Sequence, residues 1–179
     1  MAKLAGLRRL SKFLPKRILE IIYKTTILPC IDYADTVWET RSTTLLKTAQ
    51  RLQNAAARII LKNYDYVNVR GEDLVRMLDW QTIEERQRFH TAILMFKCVH
   101  GLCPAYMSDQ VTFLNEVNVY NTRATNGLNV LVPHPEKDIF KRSFLYNGAI
   151  LWNSLSEFLK ESESVHDFKS KYKVHYFSK

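Results

Sequence analysis

Five polar side chains recur at helical spacing in a part of the sequence that contains no acid. They are Lys47, Arg51, Asn54, Arg58 and Lys62, and they step by 4, 3, 4 and 4 residues. Between residues 40 and 64 the chain has five Lys or Arg residues and no Asp or Glu. A row of cations on one face of a helix can bind successive phosphates of a nucleic-acid backbone. The alternative is an ordinary solvated helix face, although such faces usually mix both signs of charge.

A second basic group lies near the start of the sequence. Residues 1–24 carry seven Lys or Arg residues and a single acid, Glu20. We expect five of these cations to assist phosphate binding: Arg8, Arg9, Lys12, Lys16 and Arg17. The formal net charge of the whole chain is +8, which favours polyanionic partners. The alternative is that this charge only keeps the protein dissolved.

Cysteine and histidine side chains offer a candidate metal site. Cys98, His100 and Cys103 are ligands of the type that zinc prefers, and His90 precedes them by about two helical turns. Their spacing matches no common closed zinc site. A buried thiol and a histidine at a helix end explain the same residues, so we expect no metal here.

The sequence contains no evident catalytic pattern. Asp32 and Asp35 supply the carboxylates of only one turn, whereas two-metal phosphoryl chemistry needs several convergent carboxylates. A helix cap or a surface ion pair is the alternative for these two residues. The five glycines are too far apart for a phosphate-binding loop or a dinucleotide turn. We therefore expect no catalytic residue, no cofactor and no enzymatic activity from this chain.

Composition limits the class of protein. A chain of 179 residues with 46% hydrophobic and 25% charged residues fits one compact domain or two small ones. The longest run without a charge, residues 143–156, is shorter than the roughly 20 apolar residues that span a bilayer, so we expect no membrane contact. The odd count of three cysteines and the early arginine pair argue against secretion. The expected location is nuclear or cytoplasmic.

Hydrophobic periodicity and capping signals predict a mostly helical chain. Pro15 begins a predicted helix over 15–28, which Pro29 ends. Thr82 and Glu85 form a capping box that begins another helix, and Ser164 with Asp167 caps the last one. Further helices are predicted over 43–62, 72–79 and 144–155. The helix over 43–62 has an apolar stripe opposite the basic side chains, formed by Leu45, Ala49, Leu52, Ala56 and Ile59.

One segment departs from the helical pattern. Asn126-Gly127 separates Tyr120-x-Thr122-x-Ala124 from Leu128-x-Val130-x-Val132, which predicts a small β-hairpin near 119–133. The predicted fold is therefore mainly α, with one minor hairpin.

Several blocks of the sequence resemble, in order, the region that follows the catalytic palm in reverse transcriptases of non-LTR (LINE-type) retrotransposons, the jockey-like and chicken-repeat-like groups. The segment from Ile22 to Trp38 is similar to the family pattern Leu-Tyr-x-Ser-Leu-Ile-x-Pro-x-Leu-x-Tyr-Gly-x-x-x-Trp. Ala49 to Ile60 resembles Leu-Gln-x-x-Gln-Asn-x-Ala-x-Arg-x-Ile. Further similar blocks are Leu78-Asp79-Trp80 through Arg86, Phe96 to Tyr106, Thr122-Arg123, Val130 to Pro133, Arg142-Ser143-Phe144, Leu151 to Leu155 and Phe168-Lys169.

The resemblance implies that residues 1–62 form a helical bundle like a polymerase thumb, and that residues 63–179 are a mostly helical C-terminal extension. A thumb grips the template–primer duplex by its phosphates, so the implied partners are RNA and DNA, above all the backbone of an RNA–DNA hybrid. The chain would then be a truncated reading frame that holds nucleic acid but cannot copy it. It could also self-associate through the surface that would face the missing palm. The alternative is a helical protein-interaction domain or a non-functional relic of a retroelement.

Overall fold

The computed structural model describes residues 2–33, 35–36, 43–117, 128–137 and 139–177. It confirms a mainly α-helical fold. The chain forms two compact units: Met1–Asp35 with Ser42–Gln87, and Thr36–Arg41 with Arg88–Lys179. These units divide the chain at a different place from the segments that the resemblance implies, which meet at residue 62.

Apart from the first helix, which was not predicted, the helices of the first unit lie close to the predicted ones. They are α1 (Ala2–Leu10), α2 (Lys16–Ile22), a π-helical turn (Tyr23–Ile27), α3 (Leu28–Asp32), α4 (Thr43–Leu61) and α5 (Gly71–Met77). Helix α6 (Ile83–Val99) contains the boundary between the units. The second unit continues with α7 (Ala105–Ser108), α8 (Leu114–Val117), a 3₁₀ turn (Phe140–Arg142), α9 (Phe144–Ser154), α10 (Glu157–Lys160) and α11 (Val165–Phe177).

The predicted stop at Pro29 is wrong, because helical structure continues to Asp32. A proline inside a helix leaves one carbonyl without its usual donor. Here a π-helical turn precedes the proline, and the N–H of Leu28 donates to the carbonyl of Tyr23, five residues back. Pro29 then lies in the first turn of α3, where its missing N–H costs little.

Helix α4 is confirmed over nearly its predicted length. It contains neither Gly nor Pro, and its C-terminal half supplies Ala56, Ala57, Ile59 and Ile60 to the core of the first unit. Side chains of α1, of α2, of the π-helical turn and of α5, together with Leu78 just after α5, complete that core. The predicted apolar stripe is only partly buried, since Leu45 at its start is 53% exposed.

The predicted capping box is confirmed at the start of α6. Glu85 accepts a hydrogen bond from the backbone N–H of Thr82 (2.9 Å), and the Thr82 hydroxyl accepts one from the N–H of Glu85 (3.2 Å). At the other end Gly101 has a φ of +65°. This left-handed conformation lets the N–H of Leu102 donate to the carbonyl of Lys97 at 2.8 Å, which closes the helix.

The core of the second unit is aromatic. Phe168 of α11 stacks on Phe96 of α6 with ring centroids 4.7 Å apart, and Trp152 of α9 lies 6.3 Å from Phe168. The indole N–H of Trp152 donates to the carbonyl of Leu128 (2.6 Å). The neighbouring Asn153 pairs with both backbone groups of Val130, at 3.0 and 2.8 Å. Helix α9 thus holds an irregular segment against the core through side-chain hydrogen bonds.

The predicted hairpin cannot be compared in full, because its turn and its first strand lie outside the described residues. The second predicted strand is present only as an extended segment, in which Val130 forms an antiparallel bridge with Phe113. Among the described residues, no helix is long and apolar enough to cross a membrane.

The aromatic core gives a first test of the fold. We expect Phe168→Ala to lower the free energy of unfolding by about 3–5 kcal/mol, because it removes a fully buried ring from between two others. Phe158→Ala is the matched control: that ring is 62% exposed, and the Lys171 ammonium lies 4.6 Å from its centroid. We expect it to cost at most about 1 kcal/mol. Equal losses in urea unfolding would contradict this description of the core.

Candidate nucleic-acid interface

The five polar side chains predicted along α4 do not form one exposed row. Lys47 and Arg51 are exposed and one helical turn apart, which separates their Cα atoms by about 6 Å along the axis. Lys62 is also exposed and lies just beyond the last residue of the helix. None of these three cations has a carboxylate within ion-pair distance in the part of the chain that the structure describes.

Lys62 owes its position to the way α4 ends. Its φ of +53° is left-handed, and the N–H of Asn63 reaches back to the carbonyl of Arg58 at 3.1 Å. This is the usual arrangement at a helix C-terminus, where glycine is the commonest residue. The chain then reverses into residues 62–70, which we call the α4–α5 loop.

Arg58 corrects the prediction that all five side chains point to solvent, since it is only 8% exposed. Its Nη1 donates to the carbonyl of Asp65 (2.8 Å) and its Nη2 to the carbonyl of Val69 (2.6 Å). Its guanidinium carbon also lies 4.3 Å from the centroid of the Tyr66 ring. Helical phase places Arg58 beside Arg51, but the α4–α5 loop folds over the last turn of α4 and covers it.

Asn54 is likewise half-buried rather than free on the surface. Its side-chain oxygen accepts a hydrogen bond from Nε2 of Gln50 (2.8 Å). The side chain also packs on Gly71 at the start of α5 so closely that a Cβ at position 71 would lie 2.6 Å from Asn54 Nδ2. Asn54 therefore contributes to the contact between α4 and α5.

The α4–α5 loop is also ordered from within by Asp65. The carboxylate of Asp65 accepts the backbone N–H groups of Val67 (3.0 Å) and Asn68 (2.9 Å) and the side-chain amide of Asn68 (2.9 Å). The hydrogen bonds from Asn68, followed by that from Val67, hold the pKa of the Asp65 carboxyl below its ordinary value. The loop thus has a built-in turn in addition to its two bonds from Arg58.

The predicted amino-terminal cations all lie on the surface of α1, of α2 or of the turn between them. Arg8, Arg9, Lys12, Lys16 and Arg17 are exposed. The guanidinium of Arg8 lies 5.7 Å from the ring centroid of Tyr64, so α1 brings one cation next to the α4–α5 loop. Lys16 is 3.9 Å from Glu20, one turn along α2, which partly offsets its charge.

A polar cluster that the sequence did not reveal joins distant parts of the first unit. Arg86 of α6 forms a two-pronged ion pair with Asp32 of α3, with Nε at 3.1 Å from Oδ1. Nearby, the rings of Tyr23 and Trp80 stack with centroids 4.4 Å apart. Burial raises the pKa of the Tyr23 hydroxyl above its ordinary value, so the group stays protonated. Tyr23, Trp80 and Arg86 line a cleft of about 290 Å³. The Asp32 carboxylate thus forms an ion pair, and an ion pair was one of the two alternatives to a catalytic role for this residue.

The candidate zinc ligands occupy packing positions in the second unit. Cys98 is buried, and desolvation, followed by its contact with Cys103, raises its pKa to about 12. It is therefore a neutral thiol at physiological pH. The His100 ring lies against Phe96, with centroids 4.2 Å apart. In this structure Cys98 is thus a buried thiol, and His100 lies just beyond the end of α6.

Comparison with models of known protein families, with curated proteins and with solved structures finds no match to this chain. The resemblance to reverse transcriptases, the nucleic-acid partners and the self-association that it implies therefore stay predictions.

Arg58 and Arg51 allow a test on one helix. Arg58→Met keeps much of the buried stem but removes both hydrogen bonds to the loop. We expect it to lower the free energy of unfolding by about 1–3 kcal/mol, because two carbonyls lose their donor. Arg51→Ser, on the exposed side of the same helix, should change it by at most about 0.5 kcal/mol. Urea unfolding measures both. If Arg58→Met leaves the free energy of unfolding unchanged, the α4–α5 loop does not depend on the guanidinium.

Asp65 gives a prediction for pH. Because its pKa is lower in the folded state than in the unfolded chain, its stabilisation is complete above the unfolded pKa of roughly 4 and disappears as pH falls through the folded value. Between about pH 5 and pH 2, we expect the free energy of unfolding to decrease less in Asp65→Asn than in the native chain. Parallel acid dependence in the two proteins would show that the carboxylate does not order the loop.

Proposed function

We propose that this chain binds the phosphate backbone of nucleic acid through exposed cations of its first unit, without reading sequence. The observation that carries the proposal is the set formed by Lys47, Arg51 and Lys62, which stand on or next to one helix and have no ion-pair partner among the described residues. Unpaired cations on a rigid helix bind polyanions without first having to break internal ion pairs.

The amino-terminal cations extend this positive surface towards the C-terminal end of α4. Arg8 is the link, because its guanidinium lies over Tyr64, two residues after Lys62. Contacts between such cations and phosphates carry no sequence information, so the binding we propose depends on charge and spacing. RNA–DNA hybrid is the partner that the resemblance to reverse transcriptases favours.

We further propose that the chain derives from the thumb and post-thumb region of a non-LTR retrotransposon reverse transcriptase. Three of the blocks that carry the resemblance meet in the first unit. Tyr23 of the first block stacks on Trp80 of the third, and Gln53 of the second block donates to the carbonyl of Gln81 at 2.9 Å. The proposal assigns no catalytic step to this chain, and it places its action in the nucleus or cytoplasm, where its thiols would stay reduced.

The salt dependence of binding tests the proposal directly. Labelled RNA–DNA hybrid is titrated with the native chain and with the triple variant Lys47→Ser, Arg51→Ser, Lys62→Ser at about 50–200 mM salt, with fluorescence anisotropy as the readout. At roughly 0.9 per phosphate contact on duplex, we expect the slope of log affinity against log salt to decrease in magnitude by about 2–3 units.

A charge-matched variant separates this set of cations from net charge alone. Lys137, Lys141 and Arg142 are exposed cations of the second unit, and replacing all three by Ser removes the same formal charge. We expect this variant to keep most of the native slope. If both triple variants lose the same amount of the salt slope, binding depends on the net positive charge of the chain and not on Lys47, Arg51 and Lys62 in particular. Weak binding by the native chain at every salt concentration would instead favour a protein-interaction domain or a relic.

A further inference from the structure

The α4–α5 loop exposes aromatic rings beside cations. Tyr66 is 71% exposed although the Arg58 guanidinium lies over its ring, and Tyr64 is 43% exposed under Arg8. An exposed tyrosine in a flexible loop would be unremarkable. Here the loop is fixed, since Arg58 holds the carbonyls of Asp65 and Val69 and Asp65 closes a turn over Val67 and Asn68.

The backbone under Tyr66 is held by these hydrogen bonds, and its ring is restrained by the contact with the Arg58 guanidinium. A ring that is already restrained loses less conformational entropy when it binds a partner. The charge around the loop selects the kind of partner. Lys62 and Arg70 are exposed within it and Arg8 and Arg58 adjoin it, so these four cations outnumber the one acid of the loop, Asp65, whose charged carboxylate accepts hydrogen bonds from the N–H groups of Val67 and Asn68. Aromatic rings among cations suit a ligand that has both phosphates and flat bases.

We propose that the α4–α5 loop binds unpaired bases of single-stranded nucleic acid, with Tyr66 as the stacking platform and Arg8, Lys62 and Arg70 on the adjoining phosphates. In a duplex the bases already stack on each other, so their faces are covered. A single strand offers free faces, and stacking on an aromatic side chain tolerates any base. This inference rests on the proposed function and extends it from phosphates to a second, non-electrostatic contribution.

Three probes separate stacking from charge. One is a blunt RNA–DNA hybrid, the second adds a single-stranded extension of about ten thymidine nucleotides, and the third has the same extension without bases. The two extended probes carry the same phosphates. We therefore expect the native chain to bind the thymidine extension about 5- to 150-fold more tightly than the abasic one, the range for one stacked base.

Variants assign this preference to one ring. Tyr66→Ala should lose most of the preference for the base-containing extension, while Tyr66→Phe should keep it, because stacking needs the ring and not the hydroxyl. Tyr106→Ala is the matched control, since Tyr106 is 69% exposed in the second unit and lies outside the loop. We expect it to behave like the native chain.

The probes also separate failure of this inference from failure of the proposed function. If the native chain binds all three probes with a steep salt slope but does not prefer bases, or if Tyr66→Ala keeps the preference, the stacking inference is wrong and phosphate binding stands. If no probe is bound in a salt-dependent way, the proposed function is itself wrong, and the stacking inference with it.

Discussion

The position of the α4–α5 loop on the first unit depends on the buried guanidinium of one residue. Arg58 lies at the end of α4 and donates to two carbonyls of the α4–α5 loop, which fixes the loop across the last turn of the helix. An arginine suits this role because its planar fork can donate in two directions at once and is always charged. The same group lies over the Tyr66 ring and so sets where that ring stands. A residue that would be a phosphate ligand on a bare helix instead acts by positioning the loop.

Side-chain hydrogen bonds also connect distant segments elsewhere in each unit. In the first unit, Arg86 bridges to Asp32 across 54 residues, and Gln53 reaches the carbonyl of Gln81. In the second, Trp152 and Asn153 hold the backbone around Val130. Buried backbone groups need partners, and irregular segments of a helical protein have no ladder to provide them. Side chains from the helices supply those partners, which makes the loops of this protein dependent on particular residues.

On the proposed function, this surface would interact with nucleic acid in two separate ways. Lys47 and Arg51 stand on the exposed side of a rigid helix and would act through charge, which salt weakens. Tyr66 stands on a fixed loop and would act through stacking, which salt affects far less. Arg58 links the two, because it lies in phase with the first set but supports the second. A binding surface of this kind would favour the junction between a duplex and a single strand.

The sequence by itself determined the helical class, the length of α4, and the caps of α6 and α11, because periodicity and capping depend on residues three or four apart. It also placed Lys47, Arg51 and Lys62 on the surface. It misplaced Arg58 and Asn54, because helical phase tells which way a side chain points from its own helix but not what folds over it. Only the tertiary structure brought the α4–α5 loop onto Arg58, Gly71 onto Asn54 and Trp80 onto Tyr23. Those contacts join residues whose pairing is decided by the packing of whole helices, and no local pattern encodes it.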